Sequence, residues 1–321
     1  MNRQAKRAFL LLIAFFPVVG LSQDYPSRPV RVVVPYSAGG SSDGPMRVIA
    51  QEMSRQLGQQ MVVENKPGQG AMLGSAEVVK APPDGYTLLL ASNPNAISAS
   101  LYSRLTHDPV EDFAPISLLA SEQAVLLVHP SVPAKSVQEF IAYVKQRPGK
   151  VDYSSSGNGS AQHLFMAMFA SMSAIQMNHV PYKGSAQAVT DLLGGQVSAA
   201  MPGLAAMRGH IREGRARALA VTGAKRAAAA PEIPTMIESG LKGYELYVWM
   251  GMLAPKGTPA AVVERLHREF VTALRAPAVK TFMDSAAIEA VGSTPAEFGA
   301  FFREEKARWA KIIKETGARV D

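Results

Sequence analysis

The sequence predicts an α/β protein built as two successive α/β units, and three observations lead there. A continuous β-branched run at residues 30 to 34 (VRVVV) is followed by apolar residues at helical spacing and then by a second short strand. The same alternation restarts near residue 151. Both units place a loop of glycine and serine between a strand and a helix, at residues 37 to 43 (SAGGSSD) and 154 to 160 (SSSGNGS).

In the first unit, Met46, Ile49, Ala50, Met53 and Leu57 share one helical face, and Gly58 stops the helix. Met61 to Val63 forms the next strand, completing a βαβ crossover of the kind that builds parallel sheets. Residues 86 to 91 (YTLLLA) and 125 to 128 read as further strands. In the second unit, residues 151 to 153 open a strand, 161 to 172 a helix, 177 to 180 a strand and 186 to 193 a helix closed by Gly194 and Gly195. Strands at residues 197 to 201 and 218 to 222 complete it.

The last part is helical: residues 259 to 274, 278 to 286, and a helix starting at Thr294, where TPAE is a capping box with proline in the first turn. Between two proline-marked loops, residues 244 to 253 (YELYVWMGML) suit an extended strand crossing between the units.

Arg3, Lys6 and Arg7 precede an apolar run from Ala8 to Leu21 that is short for a membrane span. Small residues at Gly20 and Ser22 predict signal-peptide cleavage after Ser22, making residues 1 to 22 a leader for export. No other window approaches a membrane span. The chain has no cysteine, which excludes disulfides and thiolate chemistry. Its net charge of +7, three units of it in the leader, is a weak basic bias that suits anions and falls short of a nucleic-acid footprint.

Enzyme signatures are missing: no Gly-x-Ser-x-Gly elbow, no Walker sequence, no His-Glu-x-x-His. GQGAMLG at residues 68 to 74 has its third glycine one place late for a dinucleotide fingerprint and follows a turn. The six histidines lack metal-ligand spacing, so no metal and no cofactor is expected.

The two glycine-serine loops remain. Each is expected outside the carboxyl end of a strand and at a helix N-terminus, where unpaired N–H groups attract anions, with Asp43 and Ser160 as helix caps. Their hydroxyls exceed what capping requires and suit a carboxylate with its waters. Ser92 and Asn93 follow another strand, as do residues 181 to 185 (PYKGS), so both segments are expected to line the same cleft, with Lys183 as a candidate cationic contact. Trp249 is a candidate apolar wall or a piece of interdomain core.

PYSAGGSSD, QLGQQMVVENKPGQGAMLGSAEVVKAPPDGYTLLLAS, SSSGNGSAQHL, VPYKGSAQAVTDLLGGQV and ARALAVTGAKR, in this order, resemble the Bug-type extracytoplasmic receptors of tripartite tricarboxylate transporters. The resemblance runs from about Tyr25 to the C-terminus. It implies a type II periplasmic binding protein fold, with two α/β domains closing on a ligand in the cleft between them. Residues 24–123 plus 248–321 would form domain 1, and residues 124–247 domain 2 with the crossing strands. It also implies a carboxylate held by main-chain N–H groups, hydroxyls and waters at Tyr36, Ser37, Gly39, Gly40, Ser41 and Asp43, and at Ser155, Ser156, Gly157, Gly159, Ser160 and His163.

Where the family commonly has an acid after Gly-Gly-Gln-Val, this chain has Ser198. The segment from Ser198 to Gly203 is therefore expected to be a neutral wall. With Met201 and Trp249 it favours a dicarboxylate or an aromatic carboxylate over an amino acid. The expected partners are this ligand and a membrane permease, and the expected state is a monomer that performs no chemistry. Two other readings stay open: a secreted hydrolase using Ser160 with His163 as its base, and a sensor presenting its liganded form to a signalling receptor.

Overall fold

The computed structural model describes residues 25–39, 42–102 and 104–316. The expected leader and the loop residues Gly40 and Ser41 lie outside them. In chain order the elements are β1 (Val30–Val34), α1 (Asp43–Leu57), β2 (Met61–Asn65), α2 (Met72–Val79), β3 (Thr87–Ser92), α3 (Asn93–Leu101), β4 (Phe113–Gln123), β5 (Val125–Val128), α4 (Val137–Lys145), β6 (Asp152–Ser155), α5 (Ala161–Met172), β7 (Asn178–Pro181), α6 (Ser185–Leu193), β8 (Ala199–Ala200), α7 (Leu204–Arg212), β9 (Arg217–Val221), β10 (Tyr247–Pro255), α8 (Ala260–Arg275), α9 (Pro277–Ser285), β11 (Glu289–Ala290) and α10 (Pro295–Thr316).

Two sheets result. The first has the order β11-β4-β10-β3-β1-β2 and the second β7-β6-β8-β5-β9. β1 pairs in parallel with both β2 and β3, and Val30, Val32, Val33 and Val34 are fully buried, as the β-branched run requires of a strand covered on both faces. β10 runs antiparallel between β3 and β4. The crossovers thus make half of this sheet parallel, and the aromatic segment closes the other half.

Several boundaries differ from the sequence reading. β6 extends to Ser155, so Ser154 and Ser155 are buried strand residues and the loop proper begins at Ser156. β8 shrinks to two residues, leaving Met201 to Gly203 as a connection. Helix α1 starts at Asp43 itself, with Ser42 in the cap position and no side-chain cap bond, which corrects the assignment of Asp43 as the cap. β4 is the longest strand yet has no continuous apolar run, because Pro115, Ser117 and Ser121 interrupt it. Its pairing with β10 along its whole length supplies what local pattern does not. The capping box at Thr294 is present: Thr294 N–H donates to Glu297 Oε2 at 2.8 Å, and Glu297 N–H donates to Thr294 Oγ1 at 3.2 Å.

The chain passes between the sheets where β4 runs into β5 through Ala124, and returns from β9 to β10. Buried Thr222 ties the two passages together. Its Oγ1 accepts from Ala124 N–H at 3.0 Å and donates to Leu246 O at 2.6 Å, while its own N–H donates to Ala124 O at 3.0 Å. Helix α10 spans both sheets: Phe298 and Phe302 pack on Trp249 of β10, and Trp309 stacks on Phe165 of α5 at 5.8 Å. No described helix is long and apolar enough to cross a membrane.

Candidate functional site

Both glycine-serine loops sit at the carboxyl end of a strand, β1 in the first sheet and β6 in the second, and both are held from inside by a buried side chain four residues beyond a glycine. In the first loop, Gly39 N–H donates to Asp43 Oδ2 at 2.9 Å. In the second, Gly159 N–H donates to His163 Nδ1 at 3.1 Å. Asp43 and His163 are 3% and 8% exposed, so each is a buried post to which a loop glycine is tied.

Asp43 also accepts from Arg47 Nε at 3.0 Å and from Asn65 Nδ2 at 2.9 Å, and Asn65 Nδ2 donates to the Tyr36 carbonyl at 3.1 Å. Burial, the largest influence, works against ionisation, but the Arg47, Gly39 and Asn65 donors outweigh it and hold the carboxyl below its ordinary range. Ser37 and Gly39 are exposed. Gly39 has φ of 74°, a left-handed turn that favours glycine. The Tyr36 hydroxyl donates to Asn95 Oδ1 at 2.7 Å, and that oxygen also accepts from Ser92 N–H at 3.0 Å. Asn95 Nδ2 is buried and has no partner among the described residues.

Ser92 and Asn93, expected in the cleft, serve the sheet instead. Ser92 Oγ donates to Trp249 O at 2.5 Å, Asn93 Nδ2 donates to Tyr247 O at 3.0 Å, and Asn93 Oδ1 accepts from Trp249 N–H at 3.2 Å. Both are buried, and they pin the end of β3 to β10.

In the second loop, Ser155 Oγ lies 2.6 Å from His179 Nε2 and accepts from Gly157 N–H at 3.2 Å. Gly157 has φ of 133°, and a Cβ there would stand 3.2 Å from the Tyr182 carbonyl, so the loops after β6 and β7 touch through main chain. Ser156 and Ser160 are half-buried, and Lys183 is exposed. Ser160 caps α5, its Oγ accepting from His163 N–H at 3.3 Å.

Beneath the loop the rings of His163 and His179 stack at 4.0 Å and 3°, and Tyr153 stacks on His179 at 4.9 Å. Burial pushes His163 down to about 4, and burial together with its neighbour His163 does the same for His179. Both imidazoles are therefore neutral near pH 7. With Nδ1 accepting from Gly159, the His163 proton sits on Nε2, and no bond joins the ring to Ser160 Oγ. The hydrolase reading lacks its nucleophile–base contact. The serine–histidine contact within this loop, Ser155 with His179, involves a serine that is fully buried.

The expected apolar wall is absent. Met201 is fully buried, with the Tyr244 hydroxyl 3.1 Å from its sulfur. Trp249 turns into the core, its ring meeting Phe298, Phe301 and Phe302 edge-on and its Nε1–H donating to Glu305 Oε2 at 2.9 Å. The segment from Ser198 to Gly203 has no charged side chain of its own, but a carboxyl from the first sheet lies against it. Glu122, at the end of β4, reaches across to Gly203 so closely that a Cβ there would stand 2.4 Å from its Oε1. Sequence reasoning missed Glu122 and His179, because each acquires its role from a partner distant in the chain.

A cavity of about 550 Å³ opens along the far edge of the second sheet, lined by Lys135, Gln138, Arg217 and Glu232 among others. None of the loop residues reaches it.

Two sheets joined by tied crossing strands, with a glycine-serine loop at the carboxyl end of a strand in each, define a cleft-type binding protein. The chain belongs to the tripartite tricarboxylate transporter family receptors, whose family model matches residues 46–318. Protein BugT of Bordetella pertussis is 37% identical over 298 residues, covering 92% of this chain and 91% of BugT. Among solved structures, the periplasmic binding protein BugD is 35% identical with a TM-score of 0.83, covering 92% of this chain and 99% of its own. The R. palustris protein Rpa4515, solved with adipate, is 34% identical with a TM-score of 0.85, covering 92% of this chain and 100% of its own. The fold is thus the two-domain periplasmic binding protein fold, and this family and these neighbours are binding proteins.

Proposed function

We propose that this chain is a periplasmic receptor that grips a small carboxylate between its two loops, closes on it and delivers it to a membrane permease, performing no chemistry on it. One observation carries the reading. In each sheet a glycine of the glycine-serine loop is tied to a buried side chain four residues on, Gly39 to Asp43 and Gly159 to His163, and main chain fixed before the ligand arrives loses little entropy in binding it.

Domain 1 would be residues 24–123 plus 248–321 and domain 2 residues 124–247, hinged at Ala124, Thr222 and Tyr247. Tyr36, Ser37, Gly39, Gly40, Ser41, Ser156, Gly157, Gly159, Ser160 and the His163 Nε2–H would meet the ligand, with Lys183 at the rim. Asp43 and Ser155 would hold the loops. Because Met201 and Trp249 are core residues, an aliphatic dicarboxylate fits better than an aromatic acid, and the adipate relative supports this. The receptor is expected to be a monomer, exported with cleavage after Ser22.

The test is a thermal-shift screen of the chain without its leader, unfolded and refolded to strip carried-over ligand, against dicarboxylates, tricarboxylates, aromatic acids and amino acids. A ligand at 100 times its dissociation constant stabilises by about 2.7 kcal/mol, a shift of a few degrees. A dicarboxylate that shifts the melt and is recovered unchanged supports the reading. A cooperative melt that no carboxylate moves overturns it.

A further inference from the structure

Glu122 is 9% exposed on a strand of the first sheet, and among the described residues its side chain accepts one hydrogen bond, from the Ala205 N–H at the start of α7, to Oε2 at 3.4 Å. Oε1 has no partner among the described residues. A side chain at Gly203 would fill the space that Oε1 occupies, so the glycine allows the carboxyl to lie against the connection after β8. Beside it is a cavity of about 20 Å³, room for one water-sized group, whose lining includes Ser121, Val248, Trp249, Met250, Ile288 and Ser42, the residue just before α1.

Among the described residues no salt bridge reaches this group. Of the charged and titratable residues nearby, Asp43 of α1 pairs with Arg47, Arg208 of α7 donates to the Ser285 carbonyl, His210 of α7 lies beside Arg215 and Lys280 pairs with Asp284 on α9, while Arg212 of α7 and Glu289 of β11 are exposed. Burial pushes the carboxyl up to about 7, opposed only by the Ala205 N–H.

We propose that Glu122 is a specificity-determining residue of the ligand site, a carboxylic acid kept neutral on the cleft floor that accepts from Ala205 through Oε2 and donates through protonated Oε1 toward the bound carboxylate or its bridging water. This rests on the receptor reading and adds to it a coupling between ligand and proton. An ionised Glu122 would repel the ligand anion from an uncompensated buried site. Binding therefore takes up a proton, and affinity falls as Glu122 ionises.

Titration calorimetry of the chain without its leader against succinate, malate, adipate and citrate, at pH 6.0 and 8.5, tests this. The wild type should bind its best acid about 30-fold more weakly at pH 8.5, where only a small fraction of the receptor carries the proton. Succinate, malate and adipate lose their second proton at about pH 5–5.6, below both test values, so their own titration changes the dianion fraction by less than about twofold, and citrate, which titrates higher, is judged against them. Glu122→Gln keeps the shape and a donor without the charge, and should bind at both pH values as the wild type does at pH 6.0. A wild-type affinity equal at the two pH values, or a Glu122→Gln variant that keeps the full pH dependence, overturns the proposal while leaving the receptor reading intact. Should the variant fail to fold, wild-type titrations at pH 7.5 in two buffers of different ionisation heat decide the matter, since proton uptake is required and its absence overturns the proposal. Binding of none of the acids at either pH overturns both readings.

Discussion

Trp249 and Trp309, the two tryptophans of the chain, donate their indole N–H groups to the same oxygen, Glu305 Oε2, at 2.9 and 3.0 Å. Trp309 also stacks on Phe165 of α5, so this buried carboxyl links β10 and α10 to α5. Burial pushes Glu305 above the ordinary carboxyl range, against the pull of Arg308 and both indoles. Glu305→Ala leaves two buried donors unsatisfied and should cost roughly 2–4 kcal/mol in urea unfolding followed by tryptophan fluorescence. A loss no larger than that of Arg308→Ala would show that the indoles had found other acceptors.

Thr222 holds both interdomain passages through one hydroxyl. Thr222→Val keeps the shape and removes the bonds to Ala124 and Leu246, at an expected cost of about 1–3 kcal/mol. The chemical denaturation midpoint should fall with the slope unchanged. A slope that changes, or two transitions in place of one, would mean that the hydroxyl couples the domains and does more than add stability.

The stacked histidines make stability depend on pH. Both are held near 4, below the ordinary value of 6.5, so the unfolded chain binds more protons than the folded one in that window. Their contribution is complete above about pH 6.5 and is lost as pH falls through 4. His179→Phe keeps a ring against His163 and Tyr153 and removes one titrating group. Melting temperature between pH 7 and 4.5 should fall less steeply in this variant, and an unchanged slope would point to other groups.

Gly39 has open space where a Cβ would stand, but its φ of 74° is a conformation that side chains rarely adopt. Gly39→Ala should therefore cost only about 1 kcal/mol of stability in the unliganded protein. Carboxylate affinity should fall by a larger factor, because Gly39 N–H aims the loop through Asp43. Equal losses in both measurements would make the glycine a turn requirement alone.

Much of this architecture was legible in the residues. The β-branched run of β1, the helical spacing of α1 and α5, the capping box of α10 and the two glycine-serine loops each depend on contacts within a few positions, and each stands close to its expected place. β4 was not legible, because its polar and proline positions make sense only once β10 lies beside it. In the site, Ser92, Asn93 and Met201 have residue types that suit a ligand, yet packing turned them inward.

The sequence by itself determined the strand-and-helix order, the two glycine-serine loops and the receptor family, since local spacing and ordered motifs carry all three. Only the tertiary structure decided which polar groups remain for a ligand. Ser92 and Asn93 were used on a strand more than 150 residues away, with separations of 157 and 154. Glu122 acquired its place from Ala205, 83 residues on, and His179 from Ser155, 24 residues back. The physical reason is that burial and hydrogen-bond partners set the charge and direction of a polar side chain, and both are properties of the assembled fold.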